Sequence, residues 1–250
     1  MSDFWLDRPG PEDGIRVFGR AGIVGLRKII DESAVDQTLT AARRVFERSR
    51  DAFRDRLYLY NESRRATSVA ELDDADQGRL SFLRVVFSTI IFDILSHFLG
   101  NNFLCAVEHS RLRLQYGNRQ RPDQHLPHGW HSDSGVGYGP GLMATVWVPL
   151  NACGITSPGL EVVPGSNAPS DGEGTTTEVI QNTYGKNGIH AVIADPGDVV
   201  ILSSRLLHRT QQNEDLLDDR YSIDLRVVDP EGEYQSMAGT TFVLAKHFRS

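Results

Sequence analysis

Two short motifs in the second half of the chain hold residue types that bind a metal. In Gly129-Trp130-His131-Ser132-Asp133 an extended backbone points His131 and Asp133 to one face and Ser132 to the other, so an imidazole and a carboxylate are offered together. Alone, such a pattern is common by chance and reads as a strand-end histidine bonded to its neighbour. It gains meaning from Pro196-Gly197-Asp198-Val199-Val200-Ile201-Leu202-Ser203-Ser204-Arg205-Leu206-Leu207-His208, where a turn feeds a strand that ends in a third donor, His208. Two imidazoles and one carboxylate on one face of a metal, with the remaining positions open, form the set used by non-haem Fe(II) oxygenases. Zinc hydrolases more often take His-rich or His/Glu sets.

Arg220, twelve residues after His208, distinguishes a site for a keto-acid cosubstrate from a bare metal site. A 2-oxo dicarboxylate that chelates iron leaves a far carboxylate several ångströms away, where a planar guanidinium can take it bidentately. An inward-facing Arg220 with Ser222 on the same face of a strand supplies that anchor, and Arg226 is the next arginine in line. Without the metal set, Arg220 would read as a surface arginine on a half-exposed sheet.

These residues need elements to hold them. Beyond Gly100 the apolar period is two, and turn residues divide short segments: Phe103 to Tyr116, Gly129 to Asp133, Leu142 to Leu150, Leu160 to Val163, His190 to Ala194, Asp198 to Ser203 and Arg220 to Val228. The expectation is a mainly β jelly roll. Along Arg220–Val227 one face is Tyr221, Ile223, Leu225 and Val227, and the other is Arg220, Ser222, Asp224 and Arg226. His109, Arg111, Arg113 and Gln115 share a face in the same way; such polar faces either meet water, as sheet statistics alone favour, or line a polar cavity, and the chemistry at the strand ends has to decide. Ahead of the strands, three-to-four spacing predicts a helix from Ser33, as N-cap, to about Leu57, and a second from about Asp76 to Leu99 that stops at Gly100. The polar, Gly-rich stretch Pro164 to Gly188 is a candidate lid.

The segments "WHSD", "GLEVVPGSN", "GDVVILSSRLLHRTQQN" and "RYSIDLR", in this order, together with the opening "FGRAGIVGLRKIIDESAVDQ", resemble the phytanoyl-CoA dioxygenase family of Fe(II)/2-oxoglutarate oxygenases over roughly Phe18 to Val228. The resemblance implies a double-stranded β-helix, a cupin-like jelly roll. It implies that His131, Asp133 and His208 bind Fe(II), that Arg220 holds the 5-carboxylate of 2-oxoglutarate with help from Thr210, and that dioxygen is the oxidant. Gln115, on the strand before the metal motif, is a further cosubstrate candidate. Many family members have His after "PGS" where this chain has Asn167, a position outside the metal set. Related halogenases replace the carboxylate ligand by a small residue; with Asp133 present, oxygenation, desaturation, ring closure or epimerisation is expected instead. By position, Arg111, Arg113, Tyr138, Trp147 and Tyr184 are candidates to hold the substrate, with Trp147 equally readable as core.

The remaining features mostly exclude. A chain of 250 residues with 26 Lys+Arg and 33 Asp+Glu has a formal charge of −7 and no grouped cations, which argues against nucleic acid. No apolar run reaches the ~20 residues of a membrane span. Two cysteines cannot build a zinc knuckle, and the acidic, Pro/Gly-broken start does not read as a signal peptide, so a reducing cytoplasm is expected. The glycine run from Gly135 to Gly141 has Pro140 where a dinucleotide fingerprint needs its third glycine. His125 and His128 read as surface or substrate-contact residues, with extra metal ligands the alternative, and His97 and His109 as structural. The expectation is one domain over 1–250: helical from about 15 to 100, jelly roll from 101 to 230, then a C-terminal extension. Its partner is a small-molecule substrate, with the oligomeric state left open. A 2-oxoglutarate-independent hydrolase or isomerase using the same triad, and a non-catalytic jelly-roll binding protein, are the competing readings.

Overall fold

The computed structural model describes residues 3–52, 64–72, 78–87, 89–107, 109–119, 127–133, 143–166, 175–232 and 242–248. Tyr138, His125, Asn167, the whole glycine run from Gly135 to Gly141 and the predicted helix end at 53–57 lie outside them. In chain order the elements are β1 (Trp5–Asp7), α1 (Pro11–Ala21), β2 (Ile23–Arg27), α2 (Glu32–Ala52), β3 (Arg64–Ser68), α3 (Gly78–Phe87), α4 (Ile90–Leu99), β4 (Leu104–Ala106), β5 (Arg111–Gln115), β6 (Met143–Pro149), β7 (Leu160–Val162), α5 (Thr177–Tyr184), β8 (His190–Val192), β9 (Val199–Ser203), β10 (His208–Thr210), β11 (Arg220–Val228) and β12 (Phe242–Leu244).

The strands form two facing sheets. The larger runs β1-β2-β9-β6-β11-β4-β12, with β5 also on β11 and β3 on β5; the smaller is β10-β7-β8. His131 extends the smaller sheet through a bridge to His208, each backbone N–H donating to the other's carbonyl at 3.0 Å. Successive segments from β5 through the His131 segment to β11 are thereby shared between the two sheets in the pattern of a double-stranded β-helix. The mainly β, helix-flanked jelly roll expected from the periodicity is the architecture found.

Period-two alternation decides what each face meets. Ile223, Leu225 and Val227 of β11 join Leu112, Val146, Val148, Val199 and Ile201 in one apolar cluster with helix residues such as Phe18, Val35, Phe46, Leu83 and Leu95. The Tyr221 ring packs at a tilt against Phe46 of α2, with centroids 6.1 Å apart, so α2 covers the outer face of the larger sheet there. The opposite face of β11 points between the sheets. There the polar-cavity alternative holds over the water-facing one: Arg220, Ser222, Asp224 and Arg226 are all buried, at 2%, 0%, 7% and 6% exposure. Burying four polar side chains in a row is costly unless they meet charged or hydrogen-bonding partners, which marks this wall as a polar interior.

Several predicted elements change in detail. The helix expected over 76–99 is two helices, α3 and α4, because Thr89 leaves the helical conformation and caps α4, accepting from the Ile91 N–H at 3.3 Å. Helix α2 begins at Glu32, ahead of Ser33, with Asp31 accepting from the Ser33 N–H at 2.8 Å. The segment from Phe103 is two strands, since the Ser110 N–H turns back onto the carbonyls of Ala106 and Val107. His208 starts a strand of its own; the preceding strand ends at Ser203. Helix α1 and strand β2 were not expected as such, the apolar run at Ile23 being short. Within the candidate lid, 177–184 is a helix fixed by Ile180, which packs with Trp130, Val163 and Leu207.

Candidate metal centre

The His131–His208 bridge sets the two histidines side by side at the edge of the smaller sheet, their ring centroids 4.2 Å apart. Two residues on, Asp133 turns its carboxylate toward them. One ligand atom from each of His131, Asp133 and His208 lies within 4.8 Å of the others. Both imidazoles are oriented by the backbone: Nδ1 of His131 is 2.9 Å from Gly129 O, and Nδ1 of His208 is 3.0 Å from Leu206 O. A carbonyl can only accept, so Nδ1 carries the proton and Nε2 presents its lone pair. Nitrogen and oxygen donors, few in number and converging from one side, fit a divalent iron-type ion with open positions.

The electrostatics agree with ligand duty. Burial, reinforced by the neighbouring His208, holds the His131 pKa well below the usual histidine range, so the ring is neutral and able to donate. Burial pushes the Asp133 carboxyl upward, but the Arg226 guanidinium outweighs it and keeps the group ionised, far below the usual carboxylate range. His128 stands edge-on to His131, with centroids 4.0 Å apart, closer to the centre than a surface role would place it.

Arg220, the first residue of β11, lies opposite Gln115 of β5, and its Nη1 donates to Pro158 O at 2.9 Å and Gly159 O at 3.0 Å. Its guanidinium carbon is 5.6 Å from the ring centroid of Trp147. Arg220 Nε, Ser222 Oγ and Trp147 Nε1 are all buried with no hydrogen-bond partner among the described residues. Three donors left unpaired on one wall would each cost about 1–3 kcal/mol, and an acceptor, above all an anion, removes that cost. Thr210 shares the inward face of β10 with His208.

The weaker candidates separate. Arg113 faces inward opposite Ser222, and its Nε donates to Asp224 Oδ2; Asp224 Oδ1 is buried without a partner among the described residues. Arg111 lies opposite Asp224. Trp147, at 2% exposure, is both core and site wall. Tyr184 is exposed at the end of α5, its hydroxyl 3.4 Å from Ser166 O, and nothing brings it to the metal set. Two residues were missed as site residues: Thr145, and Arg226 in the role it plays here, gripping Asp133 from β6 and β11. The signal for Arg226 was its place on the same alternating face as Arg220; for Thr145 there was none, since its hydroxyl meets Asp133 and Arg226 only once the strands are packed.

No curated protein sequence matches the chain. Among solved structures, the non-haem α-ketoglutarate-dependent epimerase SnoN of nogalamycin biosynthesis aligns at TM-score 0.68 and 18% identity, over 91% of this chain and 84% of that one. AviO1 from Streptomyces viridochromogenes Tue57 aligns at 0.67 and 21%, over 89% and 96%. EctD from S. alaskensis, solved with 2-oxoglutarate and 5-hydroxyectoine, aligns at 0.66 and 19%, over 91% and 80%. These likenesses support the fold. The sequence model of the phytanoyl-CoA dioxygenase family matches residues 18–215, most of the chain and both metal motifs, and the chain belongs to that family.

Proposed function

We propose that this member of a dioxygenase family binds Fe(II) through His131, Asp133 and His208 and 2-oxoglutarate through Arg220, Ser222 and Trp147, and hydroxylates a C–H bond of a small polar metabolite. The observation that carries the reading is the group of buried donors on β11 and β6, unpaired among the described residues, beside a His/Asp/His set whose imidazoles both turn Nδ1 to backbone carbonyls. Iron(II) held there supplies the redox chemistry by which dioxygen converts 2-oxoglutarate to succinate and carbon dioxide while one oxygen atom enters the substrate. The chain's own contribution is placement. Gly129 and Leu206 fix the imidazoles, the Arg220 fork and its neighbours seat the far carboxylate, and the two sheets exclude water between them. Thr210 and Gln115 line the same cosubstrate side.

Substrate contacts follow the polar wall. Arg113 and Asp224 face the interior as an ion pair, and Asp224 Oδ1 has no donor among the described residues. A hydroxyl or amine on the substrate supplies one, which favours an amino-acid-like or secondary-metabolite intermediate over a plain fatty acyl chain. The neighbours include an epimerase and a carbocyclase, so the outcome must be read from the product. Anaerobic addition of Fe(II) and 2-oxoglutarate should give the weak visible charge-transfer band of the chelate. Across a panel of polar metabolites, succinate release should accompany a product heavier by one oxygen atom. No band, together with no succinate from any panel member, overturns the proposal; a product of unchanged mass with succinate formed would replace hydroxylation by epimerisation.

A further inference from the structure

Arg226 stands six residues beyond Arg220 on the same face of β11, and its guanidinium closes on Asp133 from both ends. Nη2 donates to Oδ1 at 3.0 Å, Nη1 to Oδ2, and Thr145 Oγ1 donates to Oδ2 at 3.0 Å, while Nη1 also meets the Thr145 hydroxyl. Asp133, Thr145 and Arg226 are buried at 3%, 3% and 6% exposure. The carboxylate of the metal set therefore carries a bidentate counter-charge of its own. Such a partner has two opposed effects. It holds the carboxylate ionised and oriented with no metal present, and it places a fixed positive charge beside the position a cation must enter.

We propose that Arg226 is a positioning residue whose charge makes metal binding depend on the dianionic cosubstrate. The inference rests on reading His131, Asp133 and His208 as the iron ligands. A metal takes an imidazole only through a free lone pair, so the histidines add no charge to the bound ion; Asp133 and Arg226 cancel, and a divalent ion alone leaves its full charge uncompensated in a buried place. A dianion bound beside it removes that excess. Deleting the arginine's charge must then favour the cation and disfavour the anion, whereas losing a purely mechanical brace would weaken the metal alone. Lysine separates the two, since it keeps the charge and loses the fork.

Isothermal titration of Mn(II) and of 2-oxoglutarate, each alone and in sequence, tests this on the wild-type chain, Arg226→Gln, Arg226→Lys and His131→Ala. Wild-type protein should bind Mn(II) at least about tenfold more tightly once 2-oxoglutarate is present. Arg226→Gln should bind Mn(II) alone about tenfold more tightly than wild type and bind 2-oxoglutarate to the Mn(II)-loaded protein about tenfold more weakly, with Arg226→Lys within about threefold of wild type in both. Weaker Mn(II) binding by Arg226→Gln overturns the proposal. So does a wild-type Mn(II) affinity that ignores 2-oxoglutarate, a result that needs no variant to fold. If His131→Ala binds Mn(II) like wild type, the metal-site reading itself fails, a different result from a failure confined to the Arg226 variants.

Discussion

Trp147 shows most clearly what single residues add to the site. Its ring is packed at 2% exposure on β6, while its indole N–H is buried with no partner among the described residues. Trp147→Phe keeps most of the apolar contact and deletes that donor. Without ligand the variant should be as stable as wild type or slightly more so, because an unsatisfied buried group is gone. Its affinity for 2-oxoglutarate should fall about fivefold, the loss of one hydrogen bond of about 1 kcal/mol. Thermal denaturation and titration check the pair of results; a loss of stability with unchanged cosubstrate affinity would make the residue core alone. Arg220→Ala should raise the 2-oxoglutarate KM by about 30-fold or more, since a charged, forked contact contributes about 2–3 kcal/mol. It should also lower the Tm, because Pro158 O loses the Arg220 donor and Gly159 O is left with the Gln211 N–H, yet leave Mn(II) affinity near normal. Unchanged cosubstrate dependence would move the anchor to another arginine.

Elements explain why some of this was readable and some was not. The period-two pattern of β11 exposed the split between Tyr221, Ile223, Leu225, Val227 and Arg220, Ser222, Asp224, Arg226, but not which side met solvent, because that depends on where the second sheet lies. His131 and Asp133 were legible together because their spacing alone puts them on one face. Arg226 against Asp133 and Thr145 was not, since those contacts join strands 93 and 81 residues apart in the chain. Strands β1 and β2, at one end of the larger sheet, were equally hidden, and their packing is strict. A Cβ built on Gly25 would lie 2.3 Å from Trp5 Cε3, and that ring also receives Arg27, whose guanidinium carbon is 3.6 Å from its centroid. Gly25→Ala should therefore displace Trp5 and destabilise the protein by about 1–3 kcal/mol. Between Gly25 and the arginine wall of β11 stand β9 and β6, so Mn(II) and 2-oxoglutarate affinities should stay within about twofold of wild type. A matching loss of ligand affinity would show that the β1–β2 edge supports the site directly.

At the scale of the molecule, the site joins the two sheets. His131 and His208 belong to the smaller sheet, while Arg220, Ser222 and Trp147 line the larger one. A metal bound on one side and a dicarboxylate reaching to the other cross-links both, and this binding is available only to the folded chain. Mass action then fixes the size of the effect: at a free concentration about 100 times its Kd, a ligand adds about 2.7 kcal/mol to stability. For a chain of 250 residues that corresponds to a rise in Tm of about 5–10 °C. Mn(II) and 2-oxoglutarate together should give at least this shift, and 2-oxoglutarate without metal much less, because its chelating end then has no partner. The joint shift should vanish in His208→Ala and shrink in Arg220→Ala. Differential scanning calorimetry reads all of these directly. A full shift from 2-oxoglutarate alone would mean that the arginine wall binds the dicarboxylate independently of the metal set, and that the two halves of the site do not act as one.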